Sequence, residues 1–337
     1  MTTSILCQFI LMLNLAGPAT QVGRPLWIDN PDKSYPNAQF LTAVGSGDSR
    51  KDAENSAASN LSKIFESNIK SEETINARYK ELMKSENQSS LESETNINKN
   101  VSVSSQQTLY NIRYAESYTD QLGRIYILAV IEREPTAAIY VKKIDENDAR
   151  VSSYLDGYDK LTDPIKRYAV VNAAQVICKI NDVLRQQLLI IMPGMTYEPK
   201  SGYTLDKISE MCSDARKGIP FEIHITGGNL DKVTSMINET LSDLGFINSQ
   251  EGKLIIKGST EIVHIDLNSE QKFVRWSYTL SVYDLAGNSI ISLSENGREG
   301  HLNYEEAEAR ALRTMKEKIK SNFAKEINSY FDGMVLK

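Results

Sequence analysis

The stretch AVGSGDS, Ala43 to Ser49, sets two glycines between an apolar strand pattern, QFLTAV, and a helical pattern. In that helix Ala53, Ala57, Leu61, Ile64, Phe65 and Ile69 recur on one face. Small residues on both sides of one corner constrain the fold, because they let helix and strand backbones approach closely. The glycines read as a tight strand-to-helix turn that brings the alanines of the helix onto a sheet. Ser49 followed three residues later by Asp52 resembles a capping box at the helix start.

A glycine pair in this position also raises phosphate binding. A dinucleotide fingerprint needs a small residue three places after the second glycine, and Arg50 stands there. Asp48 and Asp52 would set negative charge beside any phosphate, and no GKS or GKT occurs. The motif therefore predicts packing and no cofactor.

Before this corner, RPLWIDNPDKSYPNAQF reads as an ordered extended arm, with three prolines and Trp27. After it, the polar segment from Lys70 to Gln107 is either the far end of a long helix followed by an edge strand or a mobile loop. TLYNIRYAESY and RIYILAVIERE flank TDQLG and predict an antiparallel strand pair joined by a Gly-containing turn. Pro135 and Thr162–Pro164 open two linked helices, MPGMTYEPKSGYT is a connection, and LDKISEMCSDARKG is a short helix. The last third reads as strand, helix, three strands and a long final helix. With turns such as DLAGNS it predicts an antiparallel meander with two helices on one face.

The fold class expected is α+β. Its divisions are a signal peptide over residues 1–20, a strand–helix–strand–strand domain over 21–145, a helical connector over 146–217 and a C-terminal domain over 218–337. The first of these rests on ILCQFILMLNLAGPA, an apolar run shorter than the roughly 20 residues a bilayer span needs and ending in small residues. It reads as a secretory signal, although no Lys or Arg precedes Arg24; the other reading is a buried N-terminal helix. Leu6 before Cys7 is too bulky for a lipidation signal.

The 337 residues carry a net charge of −6, without the basic excess that nucleic-acid binding draws on, so no nucleic-acid partner is expected. Cys7, Cys178 and Cys212 show no C-x-x-C spacing, and Cys178 falls on an apolar helix face where a buried free thiol is expected. His224, His264 and His301 have no metal-ligand spacing, and no nucleophile elbow occurs. No catalytic, metal or cofactor residues are thus assigned, and the chain is expected not to be an enzyme. Two features could bind something. NGREGH, Asn296 to His301, reads as a glycine-rich strand-to-helix loop in which Arg298 and His301 could hold an anion. Tyr110, Tyr114, Tyr118 and Tyr126 cluster on the predicted hairpin, a face suited to packing under a helix or meeting a protein partner.

PLWIDNP, SYPNAQFLTAVGSGDSRKDAENSAASNLSKIF and LGRIYILAVIERE together resemble the bacterial family of twenty-kilodalton outer-membrane lipoproteins, which includes the flagellar lipoprotein P. Trp27, Pro31, Tyr35, Pro36, Gly45, Gly47, Ala53, Ala57, Tyr126, Leu128 and Ala129 carry the resemblance, over roughly residues 25 to 145. It implies a non-enzymatic cell-envelope protein with a structural or assembly role, in the periplasm or at the outer membrane. The implied partners are other envelope proteins or further copies of the chain, with peripheral membrane attachment. The alternative is a periplasmic module that binds an anionic envelope component through Arg298 and His301.

Overall fold

The computed structural model describes residues 23–65, 69–86, 102–104, 107–195, 197–267 and 270–335. The N-terminal apolar run expected to be a signal lies outside them. The chain divides into two compact units that interleave in sequence, one formed by Met1–Leu61 with Arg113–Val130 and the other by Ser62–Ile112 with Ile131–Lys337.

The first unit holds β1 (Phe40–Gly47), α1 (Arg50–Ser62), β4 (Arg113–Thr119) and β5 (Ile125–Glu132), and its sheet runs in the order β1–β5–β4. β4 and β5 form the predicted antiparallel hairpin. Its turn closes on Asp120, whose Oδ1 accepts the backbone N–H groups of Leu122 and Arg124, while Gly123 supplies a positive φ. Ser49 Oγ accepts the N–H of Asp52 at 3.2 Å and so caps α1 as its sequence predicts. Gly45 and Gly47 lie inside β1 with ordinary negative φ, not in a turn. Their role is close approach: a Cβ on Gly45 would collide with the Ala57 nitrogen and the Ala53 carbonyl, and one on Gly47 with Asp52 and the Ala53 nitrogen. The glycines of the strand and the alanines of the helix therefore serve one contact.

The second unit begins with α2 (Ile69–Glu86) and a short hairpin of β2 (Ser102–Ser104) and β3 (Gln107–Leu109). Then come α3 (Arg133–Leu155), α4 (Pro164–Ile191), α5 (Leu205–Lys217), β6 (Phe221–Gly227), α6 (Leu230–Asp243), β7 (Leu254–Ile265), β8 (Lys272–Tyr283), β9 (Ser289–His301) and α7 (Tyr304–Val335). The expectation of a wholly antiparallel C-terminal sheet needs correction. The order is β6–β7–β8–β9, and β6 runs parallel to β7. α6 forms the crossover between them, which a parallel pair requires because its strand ends lie at opposite edges. The β7–β8–β9 part is the predicted antiparallel meander.

The inner face of β8, Val274, Trp276, Tyr278, Leu280 and Val282, is buried against the stripe Ala307, Ala311, Met315, Ile319, Phe323, Ile327 and Phe331 of α7 within one core. α4 and α5, in the segment read as a connector, contribute Ala169 to Cys178, Ile208 and Cys212 to that core. At its centre Tyr168 of α4 meets Phe331 edge-on at 4.6 Å and Phe246 at 5.2 Å, and Phe246 meets Phe221 at 5.1 Å. α2 is tied in by a bidentate ion pair of Arg78 with Asp332 at 2.5 Å, 254 residues apart and largely buried. Arg133 donates to the carbonyls of Ile190 and Ile191 and closes the C-terminal end of α4.

Gly45→Val is expected to prevent α1 from seating on the sheet and to destabilise the first unit by several kcal/mol, roughly the upper end for overpacking. A thermal melt monitored by circular dichroism checks this, with Gly23→Val, in open space, as the control that should leave the melt unchanged.

Candidate interaction surfaces

In the first unit the N-terminal arm folds onto one sheet face. Trp27 and Ile28 are buried against Leu128 and Val130, with Tyr35, Val44, Tyr118 and Tyr126 packed around them. Tyr35 donates to Glu116 Oε1 at 2.9 Å and meets the Phe40 ring edge-on. Burial, then the Glu116 bond, raises the pKa of the Tyr35 phenol above its ordinary value. Arg24 pairs with Asp29 through two bonds of 3.0 and 3.1 Å and lies over the Tyr126 ring.

The tyrosines named from the sequence do not all share this face. Tyr118 stands opposite Tyr126 with ring centroids 6.3 Å apart, both beside the arm. A bulge between Tyr114 and Glu116 shifts the alternation, so that Tyr114 stands opposite Ala129 and points to the other face. Tyr110 belongs to the second unit, where it meets Tyr140 edge-on.

NGREGH is not a loop. Its six residues are the end of β9 and pair in register with β8. The glycines make room for rings on the neighbouring strand: a Cβ on Gly297 would strike Trp276, and one on Gly300 would strike Phe273, their cross-strand partners. Strand alternation puts Arg298 and His301 on opposite faces, so they do not form one anion site. Arg298 lies exposed on the outer face over the Phe273 ring at 5.4 Å.

That outer face carries polar rows in register. Thr226, Ser259, Thr279 and Ser294 lie across the four strands, and Ser259 and Thr279 share a hydrogen bond of 2.9 Å. The next rows bring Ser277 opposite Asn296 and Arg275 opposite Arg298. A shallow concavity of about 400 Å³ is lined by Gly227, Gly228, Ser259, Ser277 and Thr279 among others.

A buried polar network went unread in the sequence. Asn181 of α4 accepts from Asn147 at 2.7 Å and donates to Asp148 at 2.9 Å and to the Ile144 carbonyl; Tyr79 of α2 donates to Asn147 at 2.8 Å. Asp148 also accepts the Lys200 N–H and faces Arg185 at 3.5 Å, which pins the connection after α4. Every bond lies within one unit, and the network positions helices and the connection after α4. No group of three His, Cys, Asp or Glu side chains able to hold a metal is found among the described residues.

The arm, the glycine-bearing β1, the alanine-faced α1 and the β4–β5 hairpin all fall within residues 25–132. Residues 25–132 match the LPP20 lipoprotein family. The match covers the first unit and also the α2 and β2–β3 segment that folds with the second. No curated protein matches the chain. Among solved structures, the chain is similar to a minor lipoprotein of Acinetobacter baumannii at 13% identity and TM-score 0.27, over 33% of this chain and 90% of that one. A secreted protein of Helicobacter pylori is similar at 11% identity and TM-score 0.38, over 86% and 97%. A lipoprotein of Neisseria meningitidis is similar at 12% and TM-score 0.24, over 32% and 99%.

Cys178 and Cys212, outside the LPP20-matching stretch, are free and buried. Burial pushes both thiols up, Cys178 to about 11, the opposite of an activated nucleophile. Below pH 9 the Cys178 thiol is protonated in folded and unfolded chains alike; between pH 9 and about 11 only the unfolded chain ionises, so this contribution to stability is lost as pH rises. Native protein is expected to resist iodoacetamide at pH 8 at both positions and to react fully in guanidinium, as read by mass spectrometry.

Proposed function

We propose that the protein is an exported, non-enzymatic cell-envelope protein that works by binding other envelope proteins or further copies of itself. The observation that supports this best is the LPP20 lipoprotein match over residues 25–132. Within that stretch the arm-covered sheet offers Tyr118 and Tyr126, partly exposed aromatic side chains of a type favoured at protein interfaces. The outer edges of β1 and β4, the two terminal strands of its sheet, add backbone donors and acceptors for strand pairing. No helix among the described residues is long and apolar enough to cross a membrane.

Mass spectrometry of the cell-derived N-terminus, with fractionation, is the test. Cleavage within the first 22 residues and recovery in the envelope fraction are expected; an intact N-terminus in the cytoplasmic fraction contradicts the proposal. For the binding role, Tyr118→Ser/Tyr126→Ser should weaken association in light scattering or cross-linking while leaving export unchanged.

A further inference from the structure

The outer face of the C-terminal sheet carries a feature that folding does not explain. Arg275 and Arg298 stand directly opposite each other on β8 and β9, both exposed. Directly opposed residues of an antiparallel pair have Cβ atoms about 5 Å apart, and like charges there repel. Among the described residues neither guanidinium has an ion-pair partner. Glu261, the nearest acid on the strands of the same face, sits one row away opposite Ser277 and pairs with neither, and Glu222 on β6 pairs with His224. Such a pair suits the phosphate oxygens of a ligand, since each guanidinium can bind bidentately.

What lies next to the pair points to the kind of ligand. Val263, directly opposite Arg275 on β7, is 46% exposed. At the end of the sheet where β7 turns into β8 and β9 finishes, Leu267 is 46% and Leu302 73% exposed. The row Ile265–Phe273–Gly300 separates this end, which also exposes Asp266 and Glu270, from the row that holds the arginines. Two residues along a strand are about 7 Å, and interfacial segments bury their apolar side chains roughly 5–10 Å into the headgroup and acyl boundary. Leu267 and Leu302 would therefore enter the boundary while Arg275 and Arg298 sit at phosphate depth. Glu305 and Glu306, exposed in the first turn of α7, follow Leu302 closely, so the arginine pair is the basic part of a mixed-charge end.

We infer that this end of the β6–β9 sheet docks on an anionic lipid surface, with Arg275 and Arg298 holding headgroup phosphates and Leu267 and Leu302 inserted beside them. This goes beyond the proposed function, which concerns residues 25–132 and does not require lipid contact by the second unit.

The test is flotation of the full chain with phosphatidylcholine vesicles, with and without about a third of phosphatidylglycerol. Arg275→Glu/Arg298→Glu and Leu267→Ser/Leu302→Ser are compared with the unmodified protein, after circular dichroism melts confirm that they fold. All share one N-terminus, so its own affinity for lipid cancels. Binding should require phosphatidylglycerol, weaken with salt, and fall by more than about tenfold in the charge-reversed protein, since each basic side chain near an anionic surface contributes measurably. The leucine variant should also bind less. Equal partitioning of all three proteins would overturn the inference. So would saturable binding of inorganic phosphate at the arginine pair without vesicle binding, which would mark a soluble anion site.

Discussion

The buried ion pair between Arg78 and Asp332 ties α2 to α7 within the second unit. Asp332 is 3% exposed near the end of α7, and its two oxygens meet the two terminal nitrogens of Arg78 on α2. A buried carboxylate left without this partner would cost several kcal/mol, about 3–5 for a broken buried pair. The pair fixes α2 in the core of the second unit although its sequence lies between the two halves of the first. Tyr79, the next residue, donates to Asn147 and joins α2 to the Asn147–Asn181–Asp148 network. The LPP20-matching stretch thus supplies one compact unit and part of another.

Close approach is the theme of both sheets. In the first, Gly45 and Gly47 admit the backbone of α1 at Ala53 and Ala57. In the second, Gly297 and Gly300 admit the rings of Trp276 and Phe273 from the adjacent strand. The same residue type meets a backbone in one case and an aromatic side chain in the other. Each gives a sheet with one face covered, by α1 in the first unit and by α6 and α7 in the second, while the remaining faces carry the arm and the polar rows.

Much of this was legible because periodicity reports burial. The stripe from Ala307 to Phe323, the cap at Ser49, the turn at Gly123 and the succession of elements from β6 to α7 all follow from local pattern. What local pattern lacks is partner identity. Nothing in FEIHI distinguishes a parallel neighbour from an antiparallel one, because the alternation is the same for both. NGREGH reads as a loop because glycine usually marks turns, and only the ring opposite each glycine shows why it stands in a strand. The tyrosines of the hairpin read as one face because a bulge, which displaces Tyr114, leaves no mark in the spacing. Arg78 and Asp332 are two charged residues among many, and their pairing is a property of the assembled helices alone.

A double-mutant cycle on Arg78→Met and Asp332→Leu, read by denaturant unfolding, tests the central claim that α2 completes the second unit through a buried ion pair. Each single change should strip the other charge of its buried partner and cost roughly 3 kcal/mol or more, whereas the double change to apolar side chains should restore most of that loss. Strictly additive effects, with no coupling between the two positions, would contradict it.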